Sequence, residues 1–269
     1  MARLSKADWA LHDEAEALLS LGRPLTDGEV EKVLRQWNPS ARHNVGAAGA
    51  FFTPMELARD LAHFVRLHDG GRYIDLCAGI GRLTWPLHLA HQWDSPREKA
   101  RTSYTCVEIN PHMVEVGRRL MPWAEWICGS AFDEQLITSL DPFDVGVSNP
   151  PFGRVRTREA VGSDRWLRYR GQADLQACEV LARCTRHGAF VLLPQSSLPW
   201  DRRGKRQDSS EYCKWRAANT EWELLRTSLD PRCYEFEQTG VLYDIAELDR
   251  AEGGRCVYGP LFEEVSTFA

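Results

Sequence analysis

A doubly wound α/β sheet, mostly parallel with an antiparallel edge and preceded by a small helical cap, is the fold this sequence predicts. Three observations predict it. From residue 72 onward, short apolar runs alternate with helical patterns, which argues for parallel strands covered on both faces. The first run ends in a glycine turn, DLCAGIG at 75–81, where a strand passes into a helix. Near the end, WELLRTSL and GVLYDIAEL follow one another without a clear helix between them, so part of the sheet edge is antiparallel.

Residues 5–21 and 26–37 read as two amphipathic helices, the second opened by a Thr26–Glu29 capping box. They form the cap, residues 1–44, and residues 45–269 form the main domain. The link NVGAAGA leads to FFTPMELARDLAHFV, where Thr53 suits the N-cap, Pro54 the first helical position and Glu56 the return partner. The chain then alternates: strand RYIDLCA, a helix from about 81, strand SYTCVEI, helix 111–120, strands EWICG and DVGVSN, helix 173–186, strand AFVLLP.

The composition, 43% apolar and 26% charged over 269 residues, suits a globular protein with a large core. No run approaches the roughly 20 apolar residues that span a bilayer. The acidic, interrupted N-terminus does not read as a signal peptide, so a cytoplasmic protein with no membrane partner is expected. Eight cysteines occur without a CxxC pair, and Cys77, Cys106 and Cys128 read as small buried hydrophobes rather than metal ligands. No metal is expected. The net charge of −5 is unevenly spread: residues 151–216 hold fourteen Arg and Lys against seven Asp and Glu, a net +7 that leaves −12 elsewhere. That asymmetry suggests a face for a polyanion.

The stretch FDVGVSNPPFG ends a buried strand in a rigid turn, because neither proline can donate to the ladder and each restricts its predecessor. The turn presents an amide, Asn149, and a ring, Phe152. At the first strand end, Asp75, Gly79 and Gly81 build a loop that lets backbone approach a ligand; it is neither GxGxxG nor a P-loop. Glu108 ends the second strand, where a carboxylate can accept ribose hydroxyl protons.

Together, GAFFTP (49–54), DLCAGIG (75–81), VEIN (107–110), NPPF (149–152) and TGVLYDI (239–245) resemble the S-adenosylmethionine-dependent amino-methyltransferases. Their order resembles the N6-adenine DNA methyltransferases whose cofactor half comes first, such as type I restriction modification subunits and solitary relatives. The likeness covers roughly residues 45–250 and implies a Rossmann-like methyltransferase sheet with S-adenosylmethionine as cofactor. It places Phe51, Thr53 and Pro54 beside the methionine moiety, Asp75, Gly79 and Gly81 beneath it, and Glu108 on the ribose. Asn149 and Pro150 would hold the target amine, with Pro151 stiffening the turn, Phe152 stacking on the base and Phe236 as a second ring. Where related enzymes carry an acidic residue near the cofactor's adenine, this chain has Ser130, with Asp133 three positions on; either is a candidate for that contact.

An adenine amine is a weak nucleophile because its lone pair is delocalised into the ring. Two fixed acceptors would favour a pyramidal nitrogen aimed at the sulfonium methyl, by positioning and preorganised electrostatics. The resemblance thus implies methyl transfer to the N6 amine of adenine in DNA, with RNA base amines as the alternative. A catalytically silent protein that binds cofactor and docks nucleic acid is a third reading. Arg-rich inserts at 153–172 and 200–221, with Arg202, Arg203, Lys205 and Arg206, suit phosphate contact rather than base reading. Partners open to such a chain are DNA, a separate specificity subunit, or a second copy in a homodimer.

Overall fold

The computed structural model describes residues 5–38, 41, 52–65, 71–92, 95–153, 166–227 and 243–251. Strands β1 (Arg72–Leu76), β2 (Ser103–Glu108), β3 (Glu125–Cys128), β4 (Val145–Ser148), β5 (Ala189–Pro194), β6 (Trp222–Arg226) and β7 (Tyr243–Arg250) form one sheet. Its order is β3-β2-β1-β4-β5-β7-β6. The first five strands are parallel, and β7 runs antiparallel between β5 and β6, as the missing helix in the sequence predicts.

Around the sheet lie α1 (Lys6–Leu19), α2 (Asp27–Gln36), α3 (Met55–Phe64), α4 (Thr84–His91), α5 (Pro96–Lys99), α6 (Pro111–Leu120), α7 (Glu134–Ser139), α8 (Ala173–Cys184) and α9 (Ser210–Ala218). The period-2 alternation of the strands sends Ile74, Leu76, Val191 and Leu193 to the face covered by α8, while Tyr73, Val145, Val147, Phe190 and Leu192 meet α3 and α4. Every residue of β4 and β5 is buried, which is why β5 reads as a continuous apolar run; β4 ends in a buried Ser148. The cap shares a core with α6: Val33, Leu34 and Trp37 pack with Met113, Val116 and Leu120. Arg119 of α6 reinforces this by donating to the Leu19 and Leu21 carbonyls.

Three helices were not foreseen, and each is short. Asp133 caps α7 by accepting from the Gln135 and Leu136 amides. In α9, a polar sequence hides two buried anchors, Tyr212 and Trp215, which make this part of the Arg-rich 200–221 segment core rather than surface. The start of α3 also differs from the sequence reading. The cap position is Pro54 without a side-chain cap bond, Glu56 pairs with Arg35, and the Thr53 hydroxyl turns elsewhere.

Candidate functional site

The site sits where the winding of the sheet reverses. β1 lies between β2 and β4, so successive connections leave to opposite sides and open a crevice at the carboxyl ends of the strands. Across it the Ser148 hydroxyl donates to the Leu76 carbonyl, tying the end of β4 to the end of β1. Asp75, the 77–81 loop, Glu108, Ser130 and Asn149 all follow from strands that end at this edge.

The loop after β1 turns by unusual backbone. Gly79 and Gly81 have φ of 58° and 91°, and Cys77 adopts φ 64°, a left-handed conformation that costs a non-glycine residue energy. A side chain on Gly81 would meet Met121 Cε at 2.1 Å, and one on Gly79 would meet the Phe52 ring at 3.0 Å. Glu108 clamps the loop: Oε2 accepts from the Gly79 amide at 2.9 Å and Oε1 from the Asn110 amide at 2.8 Å. Its burial raises the carboxyl pKa, against the opposing pull of those amides.

Asp75 is 3% exposed; Oδ2 accepts from the Thr84 hydroxyl at 2.7 Å, and Oδ1 is buried with no hydrogen-bond partner among the described residues. Burial, with the Glu108 charge adding to it and Thr84 opposing, pushes Asp75 up to about 7.

On the other wall, Asn149 Nδ2 donates to Thr53 Oγ1 at 3.1 Å, bringing the FFTP and NPPF segments together. Pro150 is buried, while Pro151, Phe152 and Gly153 are half-buried, Phe152 packing partly against the core beneath α3. The turn is pinned from behind by Asp174, fully buried, whose Oδ1 accepts from the Gly153 amide at 3.2 Å and whose Oδ2 takes the Ser197 hydroxyl.

Ser130 and Asp133 divide. The Ser130 hydroxyl accepts the Phe132 amide at 3.2 Å and keeps a proton to donate, whereas Asp133 is committed to capping α7. Phe51 and Phe236 lie outside the described residues.

The basic turn at 201–206 stands beyond the end of β5, beside the start of β7. Asp201 Oδ1 accepts from the Arg203 and Lys205 amides, and Arg206 pairs with Asp208 at 2.5 Å and lies over the Tyr212 ring. The four cations are therefore not equivalent, because Arg206 is already neutralised by a neighbour. Among the described residues, the basic surplus is not all on one face. Arg186 pairs with Asp144, which precedes β4 at the opposite edge of the sheet.

Three residues that the sequence reading passed over belong to this site. Phe52 lies over Gly79 with its ring against Trp37 at 6.0 Å. Arg82 holds the Thr53 carbonyl at 3.3 Å and the Arg35 carbonyl at 3.4 Å, with its guanidinium 4.5 Å from the Phe52 ring centre. It has no ion pair among the described residues, and its Nε is buried without a partner; burial and the nearby Arg35 lower its pKa to about 9. Ile109 is 54% exposed directly after Glu108, an isoleucine held in solvent at the rim of the crevice. The signal for Arg82 and Ile109 was adjacency to the motifs. Cys128, read as buried, is exposed beside Ile109, its thiol directed to the Ile109 carbonyl.

Neither a family model nor a curated protein sequence matches the chain. Among solved structures it is similar to a class I S-adenosylmethionine-dependent methyltransferase from Listeria monocytogenes, at 15% identity and TM-score 0.59, covering 91% of this chain and 81% of that one. It is also similar to the type I restriction-modification methyltransferase subunit of Streptococcus thermophilus, at 16% identity and TM-score 0.56, covering 88% and 52%. The EcoKI M protein gives 13% and 0.55, covering 93% and 55%. This chain spans about half the length of these two modification subunits. The switch-point sheet with its antiparallel edge is thus the Rossmann-like fold of the class I S-adenosylmethionine-dependent methyltransferases.

Proposed function

We propose that this protein transfers the methyl group of S-adenosylmethionine to the N6 amine of adenine in DNA. The observation that carries the reading is the placement of Asn149-Pro150-Pro151-Phe152 at the end of β4, in the same crevice as the glycine loop clamped by Glu108. The residues fit the cofactor. Each Glu108 oxygen has accepted one amide and keeps lone-pair capacity for a ribose hydroxyl. Ile109 offers an apolar face and Ser130 a hydroxyl for the adenine, while Arg82 offers a guanidinium for the carboxylate beside Phe52 and Thr53. When bound, the cofactor supplies an electrophilic methyl on a sulfonium.

The chain's own residues then act on the amine. Asn149 Oδ1 and the Pro150 carbonyl each accept one N–H, which aligns the nitrogen lone pair and stabilises the positive charge that develops on it. Pro150 and Pro151 fix those acceptors with little entropy left to lose. Phe152 stacks on a base turned out of the duplex, a contact worth about 1–3 kcal/mol. Arg202, Arg203 and Lys205 contact flanking phosphates without reading sequence. A specificity subunit, in this reading, supplies the base recognition.

The test is radiolabelled methyl transfer to DNA lacking adenine methylation and, in parallel, to structured RNA. We expect label as N6-methyladenine in DNA; label in RNA alone would reassign the polymer. Asn149→Ala should keep S-adenosylmethionine affinity and lower kcat by about 100-fold or more, since a lost transition-state partner costs about 2.7–4 kcal/mol. Activity within about threefold of wild type would contradict the assigned role.

A further inference from the structure

Thr53 and Asn149 lie 96 positions apart in the chain, and the fold joins them by one hydrogen bond, Asn149 Nδ2 to Thr53 Oγ1 at 3.1 Å. Thr53 is 2% exposed, so its end of this bond is buried, while Asn149 is half-buried. The segment carrying Thr53 is itself fixed, by Arg82 on its carbonyl and by Phe52 packed between Trp37 and Arg82. It is a rigid support rather than a loose neighbour.

A primary amide has a donor end and an acceptor end of nearly the same shape. Sterics alone would hardly distinguish the two orientations of Asn149, yet for a target amine they are opposite. One presents an oxygen that accepts its N–H; the other presents N–H₂ to N–H₂, two donors facing each other. The Thr53 hydroxyl, by accepting from Nδ2, selects the orientation in which Oδ1 is the end turned away from residues 52–54.

We propose that Thr53 is a positioning residue for the target amine: it holds the Asn149 amide with its acceptor end toward the substrate. The inference rests on the methyltransferase reading above and deepens it, because a segment assigned to the cofactor also orients the group that holds the substrate. The Thr53 hydroxyl keeps its own proton to donate, so accepting from Asn149 leaves it able to serve a bound ligand.

Thr53→Val keeps the shape and removes the acceptor; Thr53→Ser keeps the acceptor and removes the methyl. We expect Thr53→Val to lower kcat by about tenfold, the worth of one neutral hydrogen bond, and Thr53→Ser to restore most of it. The KM for DNA should change by less than about twofold in both variants. A second readout needs no turnover. In nitrogen-15 NMR spectra the Asn149 side-chain NH₂ should be protected from exchange in wild type and Thr53→Ser, and lose that protection in Thr53→Val. Unchanged Asn149 signals in Thr53→Val, or equal loss of kcat in Val and Ser variants, would overturn the proposal. If the wild type methylates neither DNA nor RNA, the methyltransferase reading fails, and the NMR comparison still decides whether Thr53 orients the amide.

Discussion

At the scale of single residues, the site is built from polar groups that the fold leaves partly unsatisfied. Arg82 is a guanidinium without an ion pair among the described residues, standing next to Arg35, which already shares Glu31 and Glu56. Arg82→Gln should therefore weaken S-adenosylmethionine by about tenfold or more, the scale of a charge-assisted hydrogen bond. Binding of 5′-methylthioadenosine, which lacks the amino-acid end, should be preserved. Calorimetric titration of both ligands checks it, and equal weakening of the two would place Arg82 elsewhere. Asp75 gives a stability prediction. Its folded pKa, about 7, lies above the ordinary 3.8, so its contribution is complete below the lower value and is lost as pH rises through the upper one. Glu108 shifts the same way, so the comparison must be by difference. The Tm of Asp75→Asn relative to wild type should climb between about pH 4 and 8. A pH-independent difference would mean that Asp75 stays ionised in the fold.

Among the elements, the basic turn after β5 is the one whose chemistry changed most between sequence and structure. Read as four cations within 202–206, it is a turn wound around the Asp201 carboxylate, with Gly204 packed on the Arg226 guanidinium and Arg206 spent on Asp208. Arg203 and Lys205 are exposed and have no ion pair among the described residues. Their replacement by alanine should flatten the slope of log K against log salt by about 0.9 for each lost phosphate contact on a duplex. Arg206→Ala should change it less, since its phosphate contact competes with Asp208. Fluorescence anisotropy across a salt series measures both. Equal slopes in the Arg203/Lys205 double variant and the wild type would make this turn a solvated surface.

For the whole molecule, the question is whether the cap folds with the sheet or beside it. Leu34 is fully buried in a core that also holds Met113, Val116 and Leu120 of α6, and Arg119 bridges to the end of α1. Leu34→Ala should thus destabilise the whole molecule by about 2–5 kcal/mol and shift a single unfolding transition. Urea denaturation followed by tryptophan fluorescence and by far-UV circular dichroism checks it. If only one signal shifted, the cap would be an independent unit.

The sequence by itself determined the order of the seven strands along the chain, the antiparallel edge and the loops that carry chemistry. Those features are local: β5 is buried on both faces and so is apolar throughout, a glycine turn is written in its glycines, and NPPF can only end a strand. Tertiary structure decided which polar groups meet. Thr53 had every local mark of an N-cap, and α3 starts without its help because Asn149, brought in by β4, supplies a donor that the sequence does not place beside it. Likewise Asp133 was drawn to a helix it caps, Tyr212 and Trp215 were drawn from a polar segment into the core, and Arg82 was left with carbonyls instead of a carboxylate. A hydrogen bond depends on which donors come within about 3 Å, and that distance is fixed by the packing of the sheet rather than by spacing along the chain.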